Sequence, residues 1–366
     1  MSALSILRRL QRPAQDIAAV SSGEPLGRRI GMNVIYADGP GSPDVLTLSQ
    51  RPTPDPEPGQ VLVRVSSASV NFSDVMRRRG DPYPIPTTWP YTPGSEIAGT
   101  VERLGDGVDA ALRGKTVFAL AGDDASGGYA QYALCRAETA IPVPEGVTAD
   151  QASTLVVAGV TPMLMLTEAA TVGPGSTVLV QSAGGGVGGF AVAIARALGA
   201  TVIACGGTQE HRARASELGA DHVIDTSAPR WSEQVLAATG GRGVDVALEG
   251  GGESTFSETL ASLAPFGTAI VYGFASGKAL RFDPASIERF FYTPAPNQCV
   301  RAFNLDGYAF GRRDAFANAL GRVIELARHS VVLPRIETVP LASAADAHRR
   351  LETRAVTGKI VLQPWE

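Results

Sequence analysis

The chain has 366 residues, 44% hydrophobic and 19% charged, with a formal net charge of −4 at pH 7. That is enough apolar material for two cores and two domains, while it offers no basic field for nucleic acid and no apolar run that approaches a membrane span. Three well-separated cysteines, Cys135, Cys205 and Cys299, fit the reduced thiols of a cytoplasmic protein and exclude a disulfide framework.

Residues 1–31 begin with Arg8, Arg9 and Arg12 ahead of any acid, and Leu4, Leu7 and Leu10 recur at helical spacing before Pro13. This pattern is shared by transit peptides. Ser21 to Pro25 and Gly27 to Arg29 look like linker, which favours a disordered tail or a start assigned upstream of a true one at Met32. From Met32 the short runs Asn33–Tyr36, Val61–Val65 and Thr116–Leu120 predict strands. Turns rich in Gly and Pro separate them, including the proline-dense stretch from Arg51 to Gly59. Prolines cannot donate to a ladder, so they mark loops and edges. Residues 32–154 read as a β-rich domain.

At Thr177 the pattern changes. Thr177–Val180 is short, apolar and β-branched, as a buried parallel strand should be, and Val187, Ala191, Ile194, Ala195 and Leu198 then recur at helical spacing until Gly199. Between them lies Gln181-Ser-Ala-Gly184-Gly185-Gly186-Val187-Gly188-Gly189. Gly184, Gly186 and Gly189 satisfy the G-x-G-x-x-G spacing that brings backbone N–H groups and a positive helix end to a phosphate. Alternation continues: strands at Thr201–Cys205, His222–Asp225, Val244–Leu248, Thr268–Tyr272 and Cys299–Phe303, with helices at Glu210–Leu218, Trp231–Ala238 and near Ser254–Leu263. Strands separated by helices give a doubly wound parallel sheet of α/β class, a Rossmann-type domain over residues 155–329.

The residues after the second strand decide the nucleotide. An NAD site places an acid there to bind the ribose 2′-OH. This chain has Cys205-Gly206-Gly207-Thr208, followed by His211, Arg212 and Arg214, which can neutralise a 2′-phosphate. Glu210 dissents, from within the helix. NADPH is the expected cofactor. Further glycines, at Gly250 and Gly273 with Phe274 and Ala275, end later strands where ligands approach an open sheet.

Seven segments, in order, resemble the medium-chain dehydrogenase/reductase family: Gly59–Val65, Val70–Asp74, Pro93–Gly99, Gly127–Ala130, Gly185–Gly188, Leu218–Asp221 and Gly358–Leu362. The resemblance implies a GroES-like catalytic domain over 32–154 with a return segment at 330–366, a Rossmann NADP-binding domain inserted at 155–329, and a cleft between the two. Zinc members of that family use a cysteine near Phe72, a histidine at Ser95 and a third ligand near residues 156–161, none of which this chain supplies. No metal is therefore expected. Asn71-Phe72-Ser73-Asp74 is similar to the zinc-independent quinone oxidoreductase and enoyl reductase branch. Its chemistry implies hydride transfer from NADPH to a quinone or an α,β-unsaturated carbonyl. An enoyl-thioester reductase, or a nucleotide-binding relative acting as a structural or interaction protein, are the alternatives.

The same resemblance implies roles for residues. Asn71 is expected to be a side-chain donor near the nicotinamide ribose or the substrate oxygen, its bland alternative being a loop tie. Tyr83 is a candidate donor with Tyr91 as rival, and Asp74 is a candidate better suited to anchoring the loop. Thr161 would meet the nicotinamide or diphosphate. The cofactor set is completed by Gly184, Gly185, Gly186, Val187, Gly188, Gly207, Thr208, His211, Arg212, Gly250, Gly273, Phe274, Ala275 and Lys359. Trp89, Phe290, Phe291, Tyr292 and Phe303 suggest an apolar substrate. The strand at Cys299–Phe303 suggests a homodimer edge.

Overall fold

A computed structural model describes residues 31–275, 280, 284–292 and 297–366. Apart from Gly31, which opens the first strand, the expected N-terminal extension lies outside the described residues, as does Ser276; nothing of the Phe291 side chain is described. The chain divides into two units. Of the described residues, the first holds those up to Val156, with Ile336–Ala355 and Ile360–Glu366; the second holds those within Val157–Arg335 and Val356–Lys359. The sequence placed the divisions at 154/155 and 329/330. In the structure residues 330–335 and the short stretch 356–359 pack with the second unit.

The first unit contains β1 (Gly31–Tyr36), β2 (Thr47–Pro52), β3 (Gln60–Ser69), α1 (Phe72–Arg79), β4 (Glu96–Leu104), β5 (Thr116–Leu120), β6 (Tyr132–Arg136) and β7 (Ile141–Pro142). Leu155–Ala169 follows as an apolar helical stretch, with π-type turns at Leu155–Val160 and Met165–Ala169 around one α-turn at Thr161–Leu164. Its apolar residues run almost without interruption, so no period marked it as helix in the sequence.

The second unit carries β8 (Thr177–Val180), α2 (Gly186–Ala197), β9 (Thr201–Gly206), α3 (Gln209–Glu217), β10 (His222–Asp225), α4 (Ser232–Ala238), β11 (Val244–Glu249), α5 (Glu253–Ala261), β12 (Leu263–Val271), β13 (Cys299–Ala302) and α6 (Arg313–Arg328). Finally β14 (Ile336–Pro340), α7 (Ala344–Glu352) and β15 (Lys359–Gln363) complete the chain.

In the first unit β14-β15-β3-β4-β5-β7 form one sheet, to which β6 adds by pairing with β3. The pairs β3–β4, β3–β6, β4–β5 and β15–β3 are antiparallel. In the second unit the order is β10-β9-β8-β11-β12-β13, and every pair is parallel. The strand order reverses between β8 and β11, so this is a dinucleotide-type sheet whose ligand crevice lies at the carboxyl ends of those two strands. Val178, Leu179, Val180, Ala247 and Leu248 are fully buried at its centre. Each such aliphatic side chain larger than alanine stabilises the fold by about 1.5–3 kcal/mol.

One boundary differs where no local stop signal marks it. The helix expected to reach Leu263 ends at Ala261, and Leu263 opens β12. That helix ended without a glycine stop, so nothing local marked its end.

Candidate active site

The second unit builds a phosphate cradle at the end of β8. Gly185 caps α2, a twelve-residue helix beginning at Gly186, and its first N–H groups have no intrahelical partners. Ala183 N–H donates to the Cys205 carbonyl at 3.0 Å, tying the turn to β9. Gly188 is the glycine that permits close packing: a Cβ there would sit 2.2 Å from the Ser182 carbonyl oxygen. The expected spacing assigned that place to Gly189, whose Cβ would meet the Leu218 side chain at 3.3 Å and the Ala183 carbonyl oxygen at an ordinary 3.6 Å.

A distant segment lies against this cradle. Gly358 N–H donates to the Gly184 carbonyl at 2.8 Å, and the two backbones run parallel at Gly185 and Gly358. Lys359 follows, only 5% exposed, with its stem beside Gly186. Lys359 is thus buried at the glycine turn and is no plain surface lysine.

At the end of β9 the expected basic trio separates. Thr208 caps α3 by accepting from His211 N–H. His211 directs its ring Nε2 to the Val356 carbonyl at 2.9 Å. Arg214 pairs with Glu217 on its own helix. Only Arg212 stays at the strand end, 3.2 Å from the Gly206 carbonyl and 2.9 Å from Asp225. Asp225 is the acid that the local motif did not show: it closes β10, opposite Gly206. Hydrogen bonds from Ser227, aided by Arg212, hold its carboxyl below the usual range.

At the end of β11, Glu249 is fully buried. It accepts from the N–H groups of Gly251 and Gly252 at 2.6 and 3.0 Å, and from the hydroxyls of Thr255 and Thr259 at 2.8 and 2.5 Å. These bonds fix the turn through Gly250, whose carbonyl receives Ala275 N–H. Gly273 and Phe274 continue from β12, and Phe274 is exposed. Thr161, buried, begins the single α-turn between the π-type turns of the 155–169 stretch.

In the first unit, Asn71 is the N-cap of α1 and 5% exposed. Its amide Nδ2 donates to Glu96 Oε2 at 2.9 Å and to Ser95 Oγ at 3.2 Å. A carboxylate only accepts, so the amide orientation is assigned by chemistry. Asp74 returns a capping-box bond, accepting Asn71 N–H at 2.9 Å, and Tyr129 O–H donates to the same Oδ2 at 3.2 Å. Asp74 is fully buried, an anchor of the loop. Arg77, also buried, donates to Thr87 Oγ1 in the proline-rich loop at 3.2 Å and to the carbonyls of Asp124 and Ala125 before β6, both at 2.8 Å. Its guanidinium lies 5.7 Å from the Tyr83 ring and 4.9 Å from that of Tyr91. Tyr83 is half-buried, whereas Tyr91 is 2% exposed, and burial raises its phenol above the ordinary range.

Comparison with known proteins decides the lineage. The alcohol dehydrogenase GroES-like domain family matches residues 57–145, and the zinc-binding dehydrogenase family matches 186–324. A 2-haloacrylate reductase from a Burkholderia species is 33% identical over 338 residues, covering 88% of this chain and 96% of its own. The chain belongs to the medium-chain dehydrogenase/reductase family. Human quinone oxidoreductase is 31% identical over 324 residues, covering 88% of this chain and 94% of its own. The solved structure of Escherichia coli quinone oxidoreductase complexed with NADPH superposes with a TM-score of 0.82 at 28% identity, covering 91% and 100% of the two chains.

One matched family description mentions zinc, and this member's donor set does not fit that ion. Ser95 and Asn71 bond to each other through an amide hydrogen, and the 156–161 segment offers only Val156, Val157, Ala158, Gly159, Val160 and Thr161. Zinc requires imidazole, thiolate or carboxylate ligands converging on one point. Asp225, Glu249 and His348 are the site residues that sequence reasoning missed. His348 alone had a local signal, falling with Ala344 and Ala347 on the buried stripe of α7.

Proposed function

We propose that this protein is an NADPH-dependent, zinc-independent oxidoreductase that reduces a quinone or an activated alkene conjugated to a carbonyl. NADPH supplies the hydride. Relatives named quinone oxidoreductase and 2-haloacrylate reductase support the acceptor class, and the NADPH complex of the E. coli relative supports the nucleotide. The glycine cradle fits a diphosphate: Gly184 to Gly188 with Lys359 would hold it, and Gly207, Thr208 and Arg212 would hold the 2′-phosphate. Gly250, Gly273, Phe274, Ala275 and Thr161 would line the nicotinamide end.

The observation that carries the zinc-free reading is the Asn71–Ser95–Glu96 cluster. Ser95 stands where zinc members of the family carry a ligand histidine, and Asn71 adjoins Phe72, near their ligand cysteine. The Asn71–Ser95 contact at 3.2 Å is the looser of the two amide bonds. In this reading a substrate oxygen takes that hydrogen as negative charge develops on it, so the amide replaces part of a Lewis acid's work. Tyr83 enters as the second oxygen contact, and Asp74 holds the loop. His211, committed to Val356, keeps its place in the cofactor set by shaping the turn after β9. β13 is the terminal strand of its sheet with Cys299, Arg301 and Ala302 exposed, which supports a homodimer paired at that edge. Among the described residues no helix is long and apolar enough to cross a membrane, and a cytoplasmic location accords with the free cysteines.

The test is oxidation of NADPH and NADH at 340 nm by metal-free protein with a quinone and an α,β-unsaturated ketone, with EDTA present. NADPH-selective turnover indifferent to EDTA is the expected result. Activity lost to EDTA and restored by zinc would overturn the metal-free reading.

A further inference from the structure

Beneath Asn71 runs a buried chain of polar groups that the chemistry described so far does not use. Tyr129, from the loop before β6, and His348, from α7, are both fully buried. The Tyr129 hydroxyl lies 3.2 Å from His348 Nε2 and 3.2 Å from Asp74 Oδ2. Asp74 Oδ2 in turn accepts the Asn71 N–H. These residues lie far apart in sequence, Tyr129 and His348 being 219 positions apart.

The direction of every bond follows from counting hydrogens. Tyr129 has a single hydroxyl hydrogen, and the Asp74 oxygen is an acceptor, so the hydrogen points at Asp74. His348 must then supply an N–H at Nε2. That tautomer leaves only a lone pair at Nδ1, which is buried with no hydrogen-bond partner among the described residues. The opposite tautomer would strand an N–H there, the costlier arrangement. Burial and the neighbouring Arg78 guanidinium both keep the imidazole neutral. The chain is therefore polarised one way: His348 Nε2–H to Tyr129 Oη–H to Asp74, which grips the Asn71 backbone.

We propose that Tyr129 and His348 are positioning residues for Asn71, setting through Asp74 the place from which its amide meets the substrate oxygen. This rests on the role given to Asn71 under the proposed function. Such a line of aligned donors stiffens the cap of α1, because each group has one low-energy orientation. A misplacement of about 1 Å at the reacting groups can cost on the order of 100-fold in rate.

A double-mutant cycle tests it, with N71A, Y129F and N71A/Y129F assayed for NADPH oxidation with the preferred acceptor. N71A is expected to lower kcat about 100-fold and Y129F about 10-fold, with NADPH affinity changed less than about twofold in Y129F. In the N71A background Y129F should have no further effect on kcat. H348Q, whose amide N–H can still donate to Tyr129, should keep near-native turnover, whereas H348L should match Y129F. The side-chain amide resonance of Asn71 in the nucleotide-free protein should shift in H348L and Y129F and stay put in H348Q. If Y129F lowers kcat by the same factor with and without Asn71, or if H348L equals H348Q in both readouts, the proposal is overturned. Full activity in N71A would instead remove the role of Asn71 itself. Should Y129F fail to fold, the H348Q and H348L pair decides alone.

Discussion

Gly358 N–H meets the Gly184 carbonyl at 2.8 Å, so within the second unit the 356–359 stretch is stitched to the turn that begins the dinucleotide helix. Gly358 has φ +82, and a Cβ there would lie 2.2 Å from the Arg335 carbonyl oxygen. Gly358→Ala should therefore lower stability by about 1–3 kcal/mol and weaken NADPH binding, because Lys359 follows directly. Thermal unfolding and a fluorescence titration with NADPH would show both effects. A variant that binds NADPH with unchanged affinity would separate the stitch from the cradle.

Cofactor selectivity should reside in Arg212. Its guanidinium is held by Asp225 and the Gly206 carbonyl, and it is the one member of the basic trio left at the end of β9. Arg212→Ala is expected to raise KM for NADPH about tenfold and to leave KM for NADH within about twofold. Steady-state kinetics with both nucleotides measures the ratio. An equal loss for both would place the 2′-phosphate elsewhere.

His348 should make the protein acid-sensitive. Burial first, then Arg78, pushes its pKa from 6.5 down to about 3. The unfolded chain therefore binds a proton between pH 6.5 and 3 that the folded protein does not. The contribution of this group is intact above pH 6.5 and is lost progressively as pH falls towards 3. At pH 4.5 the loss should be about 2–3 kcal/mol. Urea unfolding at pH 7 and 4.5 should show a smaller acid loss in H348Q than in the native protein. Equal losses would show that His348 is not the titrating group.

The three cysteines should react in two classes. Cys135 is buried and its thiol is pushed up to about 12, Cys205 is buried and raised further with Glu249 nearby, and Cys299 is exposed. A thiol reagent should modify one equivalent quickly in the native protein and three in denaturant. If β13 pairs in a homodimer, the fast rate should fall as protein concentration rises. A rate independent of concentration, with only monomer by light scattering, would remove the dimer.

Much of this protein was legible in its sequence. The strands Thr177–Val180 and His222–Asp225 have in the structure the bounds their residues predicted, because a buried parallel strand is a local apolar run closed by turn residues. The glycine turn at 184–188 was legible for the same reason, as was the departure at Ser95 from the ligand pattern of the zinc enzymes. What only the tertiary structure decided involves partners far apart in the chain. Gly358 on Gly184, Asp225 beside Arg212, and His348 on Tyr129 have no shared period or spacing, and Lys359 entered the cofactor set through the family resemblance alone. Nor could composition tell Gly188 from Gly189, since only the carbonyl of Ser182 makes one of them obligatory. Local pattern determines which elements form, because backbone hydrogen bonding and apolar period act over a few residues. Packing of distant segments determines which polar groups meet, because a buried donor is satisfied by whatever acceptor the fold brings to it.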